Sequence, residues 1–429
     1  MKKAFVLFES MNHMNIVLKE AKRRGFQIVV LNHDPVEATG PYGVAPDLID
    51  ESIYVHAWED AADVNCLLAD LAQRYQVAGT YAGFEPTLVY EAALRELVGL
   101  PNNSEATTRF VLDKGSVRKR LYENGLSGLR SVLLSETAAW TEWPFKGSAV
   151  LKPINGTGSA LCFVVSSLAQ LRDAQREAGK VTVNNPLMRD WIAASGEFVL
   201  EEKAEGELLS AESLVFDGHM HCMGLFARYV LAADPVVELG GYFPYQHPRH
   251  AEIIEKVAAI HACLGLRYGP THVEVMVPKT GPIELIDFNI RFTGSDSLIC
   301  LSEALNIPFE KCLTDLACGT MPDLAFLDAR PQCAAQVVVL PPPGAMVLRS
   351  LEFPPEAIRP RRTKQIDKVL SGRADQLDHI GMFVVKGDTE AELHNMALAA
   401  RRRVVFNGEP LGDNGNNIVS FSEFMGRPK

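Results

Sequence analysis

The stretch THVEVMVPKTGPIELIDFNIRFTGS, residues 271–295, leaves this chain few ways to fold. β-Branched and apolar residues alternate with polar ones over Thr271–Val277 and again over Ile283–Phe292, with Pro278-Lys279-Thr280-Gly281-Pro282 between them. That pattern predicts the two strands of a hairpin. Side chains two apart share a strand face, which groups Asp287, Asn289 and Arg291 against Ile286, Phe288 and Ile290, and pairs His272 with Glu274. With Thr280-Gly281 as a two-residue loop, Glu274 falls opposite Asp287 and His272 opposite Asn289.

Two carboxylates facing each other across a ladder, with Cβ atoms roughly 5 Å apart, destabilise it. A cation removes that repulsion. Glu274, Asp287 and the Asn289 carbonyl offer oxygen ligands only, the set that suits Mg²⁺ or Mn²⁺, and Mg²⁺ usually takes one or two carboxylates plus substrate phosphates. Arg291, further along the same face, carries the planar fork that grips phosphate or carboxylate oxygens. The competing reading is a solvated hairpin face with an ordinary surface ion pair.

At 429 residues, 47% hydrophobic and 22% charged, the chain can bury several cores. Roughly 150 residues per domain predicts about three domains. A net charge of −11 argues against a nucleic-acid partner held through its phosphates. The basic runs Arg359–Arg362 and Arg401–Arg403 are expected to be solvated faces. No apolar run reaches the roughly 20 residues of a bilayer span, and the apolar part of MKKAFVLFES is short for a signal peptide, so a cytoplasmic protein with no membrane partner is expected. Eight scattered cysteines without a Cys-x-x-Cys pair read as reduced core residues, not as a zinc site or disulfide framework.

Up to Val98 short apolar strands (Lys3–Phe8, Gln27–Leu31, Ser52–Val55, Val77–Tyr81) alternate with helical stretches, which predicts a parallel sheet covered on both faces. Its first strand-to-loop junction lacks a Gly-x-Gly-x-x-Gly fingerprint, and Asp34 reads as a turn former before a ribose ligand. Three further blocks follow. Asp113-Lys114 separates two helices; a strand delivers Lys152 to the small-residue loop Gly156-Thr157-Gly158-Ser159, where backbone N–H groups could approach phosphate. An apolar strand from Phe198 ends in Glu201-Glu202, with Ala204 and Gly206 behind it. Singly, each block has a plain alternative: a surface lysine, a glycine turn, a charged strand end. Beyond Leu327 a strand Ala335–Leu340, a Pro341-Pro342-Pro343-Gly344 break, a strand Ile380–Lys386 and a helix Thr389–Arg403 predict a cap over a substrate cavity.

In this order the blocks resemble the ATP-grasp superfamily, and within its carboxylate–amine ligases the L-amino-acid ligases that make dipeptides. The resemblance implies an α/β chain with the ATP-grasp fold: an N-terminal parallel, Rossmann-like α/β domain (1–104), a small α+β lid subdomain (105–196), a central antiparallel-sheet subdomain (197–330) and a C-terminal α+β subdomain (331–429). It implies ATP and Mg²⁺ or Mn²⁺ as cofactors. Lys114 and Lys152 then match the lysines on the nucleotide phosphates, Gly156–Ser159 the covering loop, Glu201 the acid reading the adenine amino group, and Glu202 and Ala204 main-chain contacts. Glu274, Asp287 and Asn289 match the metal ligands, and Arg291 the arginine that acts on the transferred phosphoryl group with Lys152.

Two departures matter. Asp287 stands where the family usually has Glu, and Leu208 where it has a ribose-binding Glu, for which Glu207 or Glu212 would substitute. In the segment Pro235–Pro244, Glu238 matches the Glu that binds the α-ammonium of the first amino acid, and Gly241 leaves room where relatives carry a larger side chain; Gly294 joins Arg291 at the substrate. The implied reaction is ATP-dependent amide formation between the carboxylate of an amino acid or similar small acid and an amine, in a homodimer. The alternatives are an ATP-grasp ligase of another carboxylate and nucleophile, of carboxylase or nucleotide-biosynthesis type, and a nucleotide-binding module without turnover.

Overall fold

The computed structural model describes residues 1–10, 14–33, 44–156, 161–180, 186–232, 234–294, 297–329, 331–344, 346–370, 379–412 and 418–420, with 234–236 as backbone only. The first unit holds β1 (Lys3–Phe8), α1 (Asn15–Arg23), β2 (Gln27–Asn32), β3 (Glu51–Tyr54), α2 (Ala61–Arg74), β4 (Gln76–Ala82) and α3 (Leu88–Val98). Its strands lie in the order β3-β2-β1-β4, all parallel. The apolar runs of β1 and β2 are buried along nearly their whole length, as expected for strands covered on both faces.

A second unit comprises α4 (Glu105–Leu112), α5 (Lys114–Glu123), β5 (Ser131–Leu133), β6 (Ala149–Pro153), β7 (Phe163–Val165), α6 (Leu168–Ala178), α7 (Pro186–Ser195) and β8 (Phe198–Glu202). Its antiparallel sheet runs β5-β8-β6-β7 and closes on a small core of its own that includes Leu151, Leu171 and Leu200.

The rest is built on β9 (Glu207–Phe216), β10 (His219–Leu231), β11 (Asp234–Phe243), α8 (His250–Leu264), β12 (Tyr268–Val277), β13 (Glu284–Asn289), α9 (Ser297–Leu305), α10 (Phe309–Ala317) and β14 (Cys333–Val339). There follow β15 (Met346–Val347), β16 (Leu351–Glu352), β17 (Ile358–Arg362), β18 (Val369–Leu370), β19 (Gly381–Gly387), α11 (Glu390–Arg402), β20 (Val405–Phe406), β21 (Glu409–Pro410) and β22 (Ile418–Ser420). A nine-stranded sheet runs β13-β12-β9-β10-β11-β14-β19-β17, with β22 beside β10. β14 and β19 therefore continue the same sheet that holds the predicted hairpin. Helices α8 and α11 pack on its back face through Val257, Ile260, Leu393 and Ala397. Helix α10 crosses to the first unit, where Asp315 meets Arg24 at 2.7 Å and the Ala317 carbonyl accepts from Arg95 at 2.8 Å.

The hairpin register is the expected one, His272 opposite Asn289 and Glu274 opposite Asp287, but not for the expected reason. Met276 pairs with Glu284 and Val275 with Leu285, so the connection is longer than a two-residue loop, and a one-residue bulge between Glu274 and Val275 restores the register. The bulge also turns Ile286 out of the core to line the cleft beside Asp287, against the strict alternation expected from the sequence. Glu238 sits within strand β11. Cys66 and Cys162 are exposed although all eight cysteines are free, and Arg401 is buried although it belongs to a run expected to be solvated. Among the described residues no helix is long and apolar enough to cross a membrane.

Candidate active site

A cleft of about 380 Å³ lies where the small sheet faces the large one. Its wall on one side carries Lys114, Lys152 and Gly156; its floor is the large sheet. Taken in strand order, the floor presents Asp287 and Asn289 on β13, His272 and Glu274 on β12, Arg228 on β10, Glu238 and Gly240 on β11, Gln336 and Val338 on β14 and Met382 on β19. With strands about 4.8 Å apart, this order is also a distance scale across the cleft.

Local structure explains how each cation arrives. Asp113 caps α5, accepting from the Ser116 N–H at 3.0 Å, and the Lys114 N–H donates to the Ile154 carbonyl at 2.8 Å. Lys114 is thereby fixed at the first turn and tied to the end of β6, and its Nζ reaches Asp287 Oδ1 at 2.6 Å. Burial alone would lower the Lys114 pKa, but the Asp287 charge overrides it and raises it. Lys152 donates to Glu201 Oε1 at 2.5 Å and to the Ile286 carbonyl at 3.1 Å, joining the small sheet to β13.

Glu201 is 4% exposed, and its second oxygen accepts from Arg118 Nε at 3.0 Å. Burial acts to raise its pKa, and the Arg118 and Lys152 charges reverse that and hold it below the usual carboxylate range. Both of its oxygens are thus on cations, and from the middle of the small sheet it supports Lys152 and lines a small cavity with Lys114 and Asp287. Glu202 bonds the Arg130 N–H at 2.9 Å, and neither it nor Ala204 lines the cleft. Thr157, Gly158 and Ser159 lie outside the described residues, as does Asp34.

At the β13–β12 end, expected to hold a metal, Glu274 and Asp287 face each other as predicted, each already matched by a cation: Arg228 Nη2 stands 2.7 Å from Glu274 Oε1, and Lys114 holds Asp287. Asn289, 5% exposed, lies beside Asp287, with 3.4 Å between its Nδ2 and Asp287 Oδ2. Two opposed carboxylates and an amide, satisfied by borrowed positive charge, fit a divalent cation whose shell phosphates complete. Behind them His272 Nδ1 meets Glu212 at 2.6 Å. Burial would push His272 down, but Glu212 and Glu274 carry it up to about 9. Burial would likewise raise Glu274, yet His272 and Arg228 hold it well below its ordinary value. Glu212 is fully buried on His272 and Glu207 points to Tyr245, so neither lines the cleft as a ribose ligand would.

Arg291 donates through Nε to Glu85 Oε1 at 2.6 Å and through Nη1 to the Phe292 carbonyl at 2.8 Å. Glu85, 2% exposed, follows β4, so the first unit takes part in orienting this arginine. Glu238 and Gly294 line the cleft as expected. Gly241 does not, which corrects its role: a Cβ there would sit 2.4 Å from the Ala227 carbonyl, so the glycine permits close strand approach and does not widen a pocket. Arg228, Glu85, Arg118, Gln336, His379 and Met382 escaped the sequence reading. Only Arg228 left a trace there, as a single charge inside the apolar run GLFARYVL.

Residues 145–298 match the ATP-grasp domain family model. An L-arginine-specific L-amino acid ligase of Bacillus subtilis is 21% identical over 234 residues, 52% of this chain and 53% of that protein, so the match spans about half the relative's length. The solved L-amino acid ligase of Bacillus licheniformis superposes with a TM-score of 0.77 at 18% identity, covering 95% of this chain and 98% of that one. Phosphoribosylglycinamide synthetase of Anaerococcus prevotii gives 0.69 at 15% identity, covering 94% and 99%. The biotin carboxylase domain of Hydrogenobacter thermophilus 2-oxoglutarate carboxylase, solved with MgADP, gives 0.68 at 15% identity, covering 94% and 90%. The chain has the ATP-grasp fold, residues 145–298 of it match the ATP-grasp domain model, and among its likenesses are L-amino-acid ligases.

Proposed function

We propose that this protein is an ATP-dependent ligase that joins the carboxylate of an amino acid, or a similar small acid, to an amine. The observation that carries the reading is the facing pair Glu274 and Asp287 in one cleft with Lys114, Lys152 and Arg291. A carboxylate is a poor electrophile. One of its oxygens therefore attacks the γ-phosphorus of ATP, the bond to the β-phosphate oxygen breaks, and ADP departs from an acyl-phosphate. The amine nitrogen then attacks the acyl carbon, the carbon–oxygen bond to phosphate breaks, and the nitrogen gives up its proton.

Phosphoryl transfer depends on positioning and on neutralising charge over the γ-phosphate oxygens. Lys114 and Lys152 are proposed for the phosphates, and Arg291 for the transferred group and the acyl-phosphate. A divalent ion held by Glu274, Asp287 and Asn289 would supply further charge neutralisation on the phosphate oxygens. The main chain from Glu202 to Ala204 at the end of β8 is proposed for adenine, with Gly156–Ser159 as the covering loop that keeps water from the acyl-phosphate. Glu238 is proposed for the α-ammonium of the acid, and Gly294 for the substrate beside Arg291.

The test is phosphate release from ATP with Mg²⁺ and the twenty L-amino acids, singly and in pairs, with mass spectrometry of the products. Amino-acid-dependent ADP formation with a condensed product is the expected result. Release that depends instead on bicarbonate or on a phosphoribosylamine would move the protein to the carboxylase or nucleotide-biosynthesis type, and no release at all would leave a binding module.

A further inference from the structure

One charged group on the cleft floor is used by none of these roles. Arg228 is 6% exposed, lines the cleft and stands on β10, between the metal end and the β11–β14 end of the sheet. The hydrogen bonds of its guanidinium run through one nitrogen: Nη2 donates to Glu274 at 2.7 Å and lies 3.4 Å from His272 Nε2. Its Nε lies 3.4 Å from Glu238 Oε2 but makes no hydrogen bond, although it is buried. A buried donor without a hydrogen bond is uncommon in a purely structural arginine: the Glu238 charge stands near it, but its hydrogen-bonding capacity is unused. Arg228 pairs with Gly241 and, on the same face, stands one pair from Glu238, which pairs with Val230.

We infer that Arg228 and Glu238 together read the zwitterion of an α-amino acid, Glu238 taking the ammonium and the Nε edge of Arg228 taking the carboxylate that is to be phosphorylated. The inference rests on the ligase reading and names the substrate class of its acid. The two opposite charges of an α-amino acid hang on a single carbon, and the two opposite charges of Arg228 and Glu238 stand in contact. Insertion of the ligand therefore replaces one ion pair by two, with no net charge added to a buried site. Arg228 also fixes the direction of binding. The Nη2 beside Nε on that edge is on Glu274, so a carboxylate on the edge lies toward the metal end, while the substituent of the amino acid points along β11, β14 and β19 over Gln336, Val338 and Met382. Arg291, held on Glu85, is left for the phosphoryl group. An acid without the ammonium would leave Glu238 bound to Arg228 and competing with the substrate for it.

The experiment uses the full chain with ATP, MgCl₂ and whichever of the twenty L-amino acids gives the fastest phosphate release, compared with the same acid lacking its α-amine. Arg228→Met is expected to raise KM for the amino acid about 100-fold, with part of the loss restored by added guanidinium ion, and Arg228→Lys to raise it by roughly 10-fold. Binding of MgADP, followed by calorimetry, is expected to change in both variants through the contact with Glu274 but by about tenfold less than KM does, since a mere spacer of the metal ligands would disturb it as much as KM. The deaminated acid is expected to be about 100-fold poorer in the wild type, and Glu238→Gln to erase that preference. The idea is overturned if Arg228→Met leaves KM unchanged, if MgADP binding falls in step with KM, or if wild type turns over the deaminated acid as well as the amino acid. Should the variants not fold, the wild-type comparison of the two acids decides alone. Absence of any amino-acid-dependent release in the wild type would instead remove the ligase reading itself.

Discussion

At the β13–β12 end of the large sheet each carboxylate is matched by a cation from a different element: Asp287 by Lys114 of α5, Glu274 by Arg228 of β10. Toward β14 and β19 the floor passes to Gly240, Gln336, Val338 and Met382, with the Ser297 hydroxyl donating to Gln336 at 2.5 Å. The first end is organised by charge that must be neutralised, the second by shape and a few neutral hydrogen bonds. In the proposed reaction, charge would act on the transition state of phosphoryl transfer, and shape on which acid enters. Removing a group should thus cost rate at one end and change preference at the other.

The largest effects are expected at the charged end. Glu274→Ala or Asp287→Asn should lower substrate-dependent phosphate release by about 10²–10³-fold, measured at saturating ATP. A loss under tenfold in both would detach that end from the metal. Lys152→Met should cost about 10²-fold in rate and weaken nucleotide binding, and it leaves the buried Glu201 with Arg118 alone, so a lower melting temperature should accompany it. At the other end Met382→Ala should shift the ratio of kcat/KM between small and large acids by about 10-fold with MgADP affinity unchanged. An equal loss for all acids would mean that the two ends are not separate.

Between the ends, Gly241→Ala meets the Ala227 carbonyl and should lower unfolding free energy by about 1–3 kcal/mol in urea titrations. If it alters only KM, a role for Gly241 in the pocket returns.

The front and back faces of β12 offer the smallest test. His272, on the cleft side, is driven up to about 9 by Glu212 and Glu274 against its burial. His261, on α8 behind β12, is driven down to about 4 by burial, its Nε2 2.8 Å from Thr271 Oγ1. Because the folded value of His261 lies below the ordinary 6.5, its neutral form contributes fully above pH 6.5 and stability is lost as pH falls from 6.5 toward 4. At neutral pH no effect is expected. Between pH 6.5 and 4.5 the wild type should lose about 2 kcal/mol more than His261→Gln, read from urea unfolding at each pH.

The register of the hairpin was legible because alternation in THVEVMV and ELIDFN, together with two acids, permits few pairings; its bulge was not, because an extra residue leaves no mark in the pattern of polar and apolar letters. Lys114 and Lys152 were legible through Asp113 and the glycine loop, whose local chemistry is a matter of neighbours in sequence. The partner of Glu201 was not, since Arg118 is 83 residues away and only the packing of α5 on β8 brings it there. The same holds for Glu85, 206 residues from Arg291.

By itself, then, the sequence determined the alternating elements of the parallel sheet, the facing acids and the cations adjacent to a turn or cap, because each depends on residues a few positions apart. Only tertiary structure decided that Arg228 lies between Glu238 and Glu274, that Gly241 serves strand contact, and that β14 and β19 furnish the far wall of the cleft. Those facts depend on which strands become neighbours. Strand order joins residues tens to hundreds of positions apart, and no local periodicity records it.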